Sequence, residues 1–353
     1  MLLEGLQLPL TTPFYPDGRL NVRKLEHNVA RYSKTPANGL VALSDVGEPT
    51  MLSDEETRLA LRCVLEASEA EKVLVAGVSR DSVVGTIDLC QYAAELGYDA
   101  VLVKPPSVVG AGARVAREKQ LLTYFQAIAD SSPVPVVLYC TQSTGVLSFE
   151  VVAELSGHPQ ILGMVDGVGG PAQVAAFKAR TASIRRNVAV TAVFAAVTGR
   201  MLIADGAQLE GGMISADNLI GEGTAVATLT SKPQLKTRTK TVGFQILTAN
   251  TASMLDDLLV GAAGAMPAFA ASAPQACYEV LAAWKDGDEG LAREKQIRLL
   301  EAVRRVEIEF GVAGIKYGCD LNGYFGGIAR LPTLPLDGNQ RAEIEALMHS
   351  LRA

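Results

Sequence analysis

The sequence contains few of the residues that form disulfides or hold metal ions. Its 353 residues include five cysteines, an odd number, and no two of them form a C-x-x-C pair. Scattered thiols in a chain long enough to bury a large core are typical of the reducing cytoplasm. The three histidines, His27, His158 and His349, lie far apart and outside any zinc-ligand spacing. We therefore predict a cytoplasmic protein without structural disulfides or a zinc site.

Long apolar runs and basic clusters are also missing. No stretch of about 18 uninterrupted apolar residues occurs, and residues 1–5 lack the basic region and apolar run of a signal peptide. Thirty-two Lys and Arg stand against 38 Asp and Glu, a net charge of −6, and no basic block is present. We therefore expect no binding to membranes or to nucleic acid.

The composition is that of a folded globular protein. The chain is 48% hydrophobic and 20% charged, which excludes a largely disordered, collagenous or coiled-coil protein. Its length fits one large α/β barrel or two ordinary domains.

Short apolar runs alternate with amphipathic helical patterns along the chain. Six such runs, each followed by a helix, indicate a parallel sheet covered on both faces; they lie at 6–12, 39–44, 73–78, 100–104, 134–140 and 161–165. Two further runs, at 243–247 and 264–268, bring the number to eight. Eight βα units favour a closed (β/α)8 barrel over an open doubly wound sheet, and no G-x-G-x-x-G follows the first run.

Two segments extend the predicted barrel. The barrel is expected to span residues 1–270, and helical spacing after it predicts a C-terminal helical extension at 271–353. The segment at about 187–240, between helix 6 and strand 7, is far longer than such a connection needs. Its Val/Thr/Ile-rich runs are separated by three predicted turns, at Asp205-Gly206, at 211–212 and at 221–223. We predict a small β-rich insert at the bottom face of the barrel.

Four motifs resemble the dihydrodipicolinate synthase and N-acetylneuraminate lyase family. In chain order they lie at residues 9–14 (PLTTPF), at 47–53 (GEPTMLS), at 138–145 around Tyr139, and at 330–336 (RLPTLPL). The resemblance covers nearly everything outside the insert. It implies a barrel-shaped lyase or aldolase that acts on a small 2-oxo acid, usually pyruvate, and assembles as a homodimer or homotetramer. In that family, a lysine on the sixth strand forms a Schiff base, and the iminium serves as the electron sink.

The chain differs from the family at the positions that carry this chemistry. Val165 occupies the position of the Schiff-base lysine, and an alkyl side chain cannot attack a carbonyl carbon. Asp45 and Val46 replace two threonines of the loop after strand two, and Ser107 replaces a tyrosine that normally comes from the neighbouring subunit. The carboxylate-binding arginine is missing from the segment that follows Tyr139.

Three residues are the candidates for chemistry at the C-terminal mouth of the barrel, where such barrels keep their active sites. Tyr139 is either a proton donor or a core phenol whose hydroxyl is already satisfied. Asp45 is either a general base near that tyrosine or a loop residue that caps a backbone N–H. Lys104, at the end of strand four, either substitutes for the missing amine or is ion-paired or solvent-facing.

The rest of the predicted site lines a pocket for a small 2-oxo acid or carboxylate: Ser44, Val46, Glu48, Ser107, Val165 and Met266. Asp45, Glu48 and Asp166 are carboxylates of the kind that Mg²⁺ prefers, but strand alternation turns Asp166 outward. We therefore predict neither a metal nor another cofactor. The glycine-rich run at 167–170 is interpreted as a tight turn, although such a run can also approach a phosphate.

Two functions of different classes remain open. The first is a divergent lyase or aldolase that acts on a small 2-oxo acid by altered chemistry. The second is a catalytically inactive family member that binds a small carboxylate or has a regulatory or structural role. An open polar pocket containing Tyr139 and Asp45 would favour catalysis or binding. A mouth plugged by Val46, Val165 and Met266 would favour neither.

Overall fold

The structure, a computed structural model, describes residues 1–109, 114–210 and 235–351. Ten strands lie within these residues: β1 (Gly5–Pro9), β2 (Gly39–Ala42), β3 (Val73–Gly77), β4 (Ala100–Val103), β5 (Val136–Cys140), β6 (Ile161–Asp166), β7 (Arg186–Thr191), β8 (Thr237–Val242), β9 (Gln245–Thr248) and β10 (Gly264–Ala265). Eight of them close a parallel barrel in the order β1-β10-β9-β6-β5-β4-β3-β2. The predicted (β/α)8 barrel is confirmed.

The helices surround the barrel and extend beyond its last strand. They are α1 (Val22–Ser33), α2 (Asp54–Ala67), α3 (Val83–Leu96), α4 (Arg114–Ser131), α5 (Phe149–Ser156), α6 (Pro171–Arg180), α7 (Gly199–Glu210), α8 (Met254–Leu259), α9 (Pro274–Lys285), α10 (Glu289–Ala302), α11 (Gly311–Leu321) and α12 (Gly338–Met348). A π-helical segment, Val303–Glu309, connects α10 to α11. In the described part of the chain, no helix is long and apolar enough to cross a membrane.

Local signals place several helix ends where the sequence predicts them. The hydroxyl of Ser53 accepts a hydrogen bond from the Glu56 N–H (3.2 Å), and the Glu56 carboxylate accepts one from the Ser53 N–H (3.0 Å). This capping box satisfies backbone donors at the start of α2. Gly97 ends α3 with a φ of 102°, a conformation that glycine adopts without steric penalty.

Two apolar layers hold the barrel together. A small cluster fills its interior, with Val41, Val75, Tyr139 and Val165 among its members. A much larger cluster lies between the outer face of the strands and the helices. Strands buried on both faces explain why their sequences are almost continuously apolar.

The insert packs against the amino-terminal end of the barrel. β7 and β8 pair antiparallel, and Val188, Val190 and Val242 pack with Leu2. The expected turn at Asp205-Gly206 is wrong, because both residues lie inside α7. The Thr198 hydroxyl accepts a hydrogen bond from the Met201 N–H (3.1 Å). This cap favours the start of a helix, and the glycine in the expected turn is too weak a signal to end it. The other predicted turns, at 211–212 and 221–223, lie outside the described residues.

Candidate site at the mouth of the barrel

A loop with an unusual backbone leads from β2 toward α2. Leu43 and Glu48 have positive φ values, 57° and 53°, and enclose a single 3-10 turn at Asp45–Gly47. Non-glycine residues in this region are uncommon, and they persist only where the surroundings hold them. Such positions concentrate at functional sites, which makes the loop after β2 a candidate part of the functional site.

Ser44, at the start of this loop, has a buried hydroxyl without a partner. The residue is 3% exposed, and its Oγ makes no hydrogen bond within the described residues. It also lines the cavity at the mouth of the barrel. An unpaired buried hydroxyl is unfavourable by about 1–3 kcal/mol.

The structure brings Lys104 and Asp45 together. Their Nζ and Oδ1 atoms are 2.6 Å apart, and the Lys104 backbone N–H donates to the Ser79 hydroxyl at 2.8 Å. Of the two interpretations of Lys104, the geometry therefore agrees with the ion pair.

Tyr139 lies at the carboxyl end of β5, beside Val165 of β6. It is 7% exposed and lines the same cavity as Ser44. Burial raises the pKa of the Tyr139 phenol well above its ordinary value, and the nearby carboxylates of Asp45 and Glu307 raise it further. The phenol is therefore neutral at physiological pH and able to donate a hydrogen bond.

The mouth contains a cavity of about 740 Å³ at the carboxyl ends of β2 to β5. Lys104, Ser107 and Tyr139 line it, together with the guanidinium groups of Arg80 and Arg117. An open cavity lined by Tyr139 is thus present, but Asp45 is not among its lining residues. Val165 and Met266 pack within the barrel interior and do not plug the mouth.

The two arginines are functional candidates that the sequence reasoning missed. Arg80 donates to Asp54 (3.1 Å) and Thr57 (3.2 Å). Among the described residues, Arg117 on α4 donates only one long hydrogen bond, to the Thr144 carbonyl at 3.4 Å. It thus brings a guanidinium to the segment after Tyr139 from a distant helix. No local motif marks Arg117, so sequence reasoning had no signal for it.

Glu48 lies outside this cavity, in a buried ion pair with Lys316 of α11. Its Oε2 also accepts a hydrogen bond from the Arg330 backbone N–H at 2.9 Å. The Phe14 ring packs against both cations, 4.4 Å from the Lys316 Nζ and 4.2 Å from the Arg330 guanidinium carbon. Three of the sequence motifs therefore meet at one structural cluster, and a role for Glu48 in substrate binding stays a prediction.

The other predicted site residues have clear positions. Val46 is buried in the β2–α2 loop. Ser107 lines the cavity, while its backbone N–H and its hydroxyl donate to the two oxygens of Asp81, each at 2.6 Å. These contacts join the loops that follow β3 and β4.

Asp166 has a structural environment on the outer side of β6. Its Oδ1 accepts hydrogen bonds from the N–H groups of Val168 (3.1 Å) and Gly169 (3.3 Å), and its Oδ2 accepts one from Gln173 (2.7 Å). The carboxylate thus closes the glycine-rich turn before α6. Within the described residues, no group of three or more His, Cys, Asp or Glu side chains could hold a metal ion.

Glu307 is a second residue that sequence reasoning missed. It lies in the π-helical segment, and its Oε2 accepts hydrogen bonds from the Thr251 hydroxyl (2.6 Å) and the Phe269 N–H (3.0 Å). Thr251 follows β9 and Phe269 follows β10, so the carboxyl group lies at the mouth end of the barrel. Part of the side chain is exposed, but protein surrounds the carboxyl group, and this desolvation raises its pKa to about 7.

Sequence comparison identifies relatives that span the whole chain. The chain is 26% identical over 352 residues to a 4-hydroxy-tetrahydrodipicolinate synthase of Acidiphilium cryptum, covering 99% of each protein. It is 34% identical over 169 residues to a probable mitochondrial 4-hydroxy-2-oxoglutarate aldolase of Emericella nidulans, covering 46% of this chain and 54% of that protein.

Solved structures share the fold. A prophage protein of the dihydrodipicolinic acid synthase family from E. coli K12, solved in complex with pyruvate, matches with a TM-score of 0.74 at 23% identity and 99% coverage of each chain. A dihydrodipicolinate synthase from Bacillus anthracis matches with a TM-score of 0.77 at 20% identity over 100% of each chain. The family model for the dihydrodipicolinate synthetase family matches residues 2–202 and 207–351. The chain therefore belongs to the dihydrodipicolinate synthetase family.

Proposed function

We propose that this protein binds a small 2-oxo acid at the mouth of its barrel, through charge and hydrogen bonds rather than through an imine on β6. The observation that carries the proposal is the 740 Å³ cavity, whose lining includes three cationic side chains, Tyr139 and Ser44, a residue with an unpaired hydroxyl. A cavity of this size is within the range of small-molecule sites. A relative of the same fold was solved with pyruvate, which makes pyruvate the simplest probe.

Arg117 is the proposed anchor for the ligand carboxylate. The Lys104 ammonium is ion-paired with the Asp45 carboxylate, and the Arg80 guanidinium is ion-paired with the Asp54 carboxylate. Arg117 forms no ion pair with any carboxylate in the described part of the chain. A guanidinium can hold a carboxylate through two parallel hydrogen bonds, so Arg117 has the geometry and the free donors for this task.

Val165 supports a non-covalent mode of binding. Its side chain packs in the barrel interior beside Tyr139 and Leu247, where it offers a hydrocarbon surface. Neutral Tyr139 is then a hydrogen-bond donor to the ligand oxygen, and Ser44 is a second one.

We expect Arg117→Ala to weaken pyruvate binding about 10-fold or more, because a charge-assisted hydrogen bond contributes about 1.5–3 kcal/mol. Isothermal titration calorimetry measures the affinity, and Arg180→Ala, on the exposed face of α6, serves as the matched control. Equal affinity for pyruvate in Arg117→Ala and in the control would show that Arg117 does not bind the carboxylate. A wild-type protein that binds no pyruvate would remove the proposal.

The Ser44→Ala substitution distinguishes a role of Ser44 in ligand binding from a role in protein stability. We expect affinity for pyruvate to fall about 3- to 10-fold, because one neutral hydrogen bond is lost. The free energy of unfolding should stay equal or rise, since the removed hydroxyl has no partner in the folded protein. Calorimetry and urea denaturation test the two halves. A fall in stability with unchanged affinity would give Ser44 a purely structural role.

A lyase with a relocated amine is the second candidate, because Lys104 lines the same cavity as Tyr139 and Asp45 lies within reach of its ammonium group. Asp45 would accept the ammonium proton, the Lys104 nitrogen would attack C2 of pyruvate, and the carbonyl oxygen would leave as water. Borohydride treatment with pyruvate, followed by mass spectrometry, tests this chemistry, with Lys104→Arg as the control that keeps the charge. An adduct at Lys104 would establish the relocated amine, and its absence would leave non-covalent binding.

A homodimer or homotetramer and a cytoplasmic location stay proposals from family resemblance. Light scattering of the purified protein tests the assembly. A monomer at micromolar concentration would contradict it.

A further inference from the structure

A second cavity, of about 640 Å³, lies at the opposite end of the barrel from the mouth. Its walls include residues 2 and 4–6 at the start of β1, 36–38 before β2, 71–72 before β3 and 261–263 before β10. All of these are at the amino ends of the strands. The cavity is completed by α9 and by residues 193–196 of the insert, so it is distinct from the site described above.

Aromatic and aliphatic side chains form much of its lining. Tyr278 and Trp284 on α9 are partly exposed, and Val193 and Phe194 of the insert are 82% and 52% exposed. Leu281 of α9 also lines it. Adjacent exposed apolar residues around a concave surface are typical of a binding site.

The turn that carries Phe194 is held in one conformation. The Phe194 N–H donates to the Thr191 carbonyl at 2.9 Å, and the Thr191 N–H donates to the Ala195 carbonyl at 2.8 Å. Phe194 has a φ of 62°, an uncommon conformation for an aromatic residue. The surrounding bonds therefore keep a strained aromatic residue at the edge of the cavity, which is a feature of ligand sites.

The cavity has an excess of positive charge. Lys72, Lys178 and Lys285 line it, against Glu4 and Glu71. The Glu4 carboxylate is already bound by the Lys240 ammonium at 2.6 and 2.7 Å. Within the residues that the structure describes, Lys178 donates only to the Gly261 carbonyl, at 3.3 Å, and has no carboxylate partner.

Lys285 is the most available of the three cations. It is exposed at the end of α9, one residue after Trp284. Within the described part of the chain it forms no ion pair. An ammonium group beside an aromatic wall suits a ligand with an apolar body and an anionic end.

We propose that this cavity binds an aromatic monocarboxylate, with its ring against Trp284 and Phe194 and its carboxylate at Lys285 and Lys178. The ligand class differs from that of the mouth, where a small 2-oxo acid has no apolar body to bury. The proposal is therefore independent of the proposed function, and either can fail alone.

Trp284 provides the measurement, because the chain contains one tryptophan. We expect 3-phenylpropanoate to change tryptophan emission in a saturable manner. The neutral 3-phenylpropanol and the cationic 3-phenylpropylamine should bind at least 10-fold more weakly, since they lack the carboxylate. Saturating pyruvate should leave the titration unchanged, because the two sites are separate. Equal binding of all three probes, no saturable response, or displacement by pyruvate would overturn the proposal.

Two variants locate the site. Ala282→Phe fills the cavity from α9 and should weaken 3-phenylpropanoate binding at least 10-fold, whereas Val84→Phe, at an exposed position of α3, should not. Lys285→Gln should weaken it about 3- to 10-fold, whereas Lys119→Gln, exposed on α4, should not. Affinities come from calorimetry, and Lys285→Gln keeps the test valid if Ala282→Phe does not fold. Unchanged affinity in the folded cavity variants would contradict the assignment.

Discussion

Lys316→Met is expected to lower the free energy of unfolding by about 3–5 kcal/mol, because it leaves the Glu48 carboxylate buried without its counter-ion. The side chains of Lys316 and Glu48 are 0% and 5% exposed. The Lys316 ammonium also donates to the Ile328 carbonyl at 2.7 Å, which joins α11 to the segment that carries Arg330. Burial lowers the pKa of Lys316, and the Glu48 charge opposes that shift. Loss of either charged side chain would therefore leave the other one buried without its counter-ion.

Urea denaturation of three variants tests this role. The double variant Lys316→Met with Glu48→Gln should recover part of the loss, because no charge is then left unpaired. Arg293→Met removes exposed ion pairs with Glu289 and Asp256 and should change stability by no more than about 0.5 kcal/mol. A loss below about 1 kcal/mol in Lys316→Met would show that the pair does not hold the C-terminal segment to the barrel.

Glu307→Gln is expected to make the protein more stable at pH 8 by up to about 3 kcal/mol, with no gain at pH 4. The folded protein retains the Glu307 proton up to a pKa of about 7, whereas the ordinary value is 4.5. Folding therefore takes up a proton between these values, and stability falls as pH rises through this window. The glutamine carbonyl oxygen can still accept the bonds from Thr251 and Phe269, so the variant keeps the contacts and removes the titration.

Urea denaturation between pH 4 and pH 8 measures this effect. Glu301→Gln, an exposed position on α10, controls for the loss of one negative charge. The stability difference between Glu307→Gln and the wild type should grow between pH 4.5 and 7. A difference that does not change with pH would show that the Glu307 carboxyl group is not desolvated in the folded protein.

Much of the barrel is predictable because its signals are local. Apolar runs mark the strands at the positions where the structure has them, and the Ser53–Glu56 capping box acts over three residues. The eighth apolar run, at 264–268, forms a shorter strand than the sequence predicts. Only Gly264–Ala265 forms a strand, because Pro267 and a 3-10 turn at Ala268–Ala271 follow it. Proline lacks the N–H that a continuing strand would need.

The insert shows where local signals fail. Short Val/Thr/Ile-rich runs predicted strands, and β7 agrees with that prediction. β8 lies in a segment whose charge at 232–240 indicated a solvated loop instead. Arg200 of α7 donates to the Ser68 hydroxyl at 2.7 Å, across the bottom of the barrel. Contacts of this kind fix where α7 packs, and nothing nearby in the sequence indicates them.

The amino-acid sequence by itself determined the alternation of strands and helices, the family motifs and the absence of an amine at Val165. Only the tertiary structure decided which charges meet. Glu48 and Arg330 lie 282 residues apart and come into contact because the barrel closes and α11 packs back onto it. The same closure brings Arg117 to the mouth and Glu307 to the ends of β9 and β10. The spacing of apolar residues that predicts a strand or helix lies within a few neighbouring residues. Contacts between distant side chains depend on the position of every strand between them.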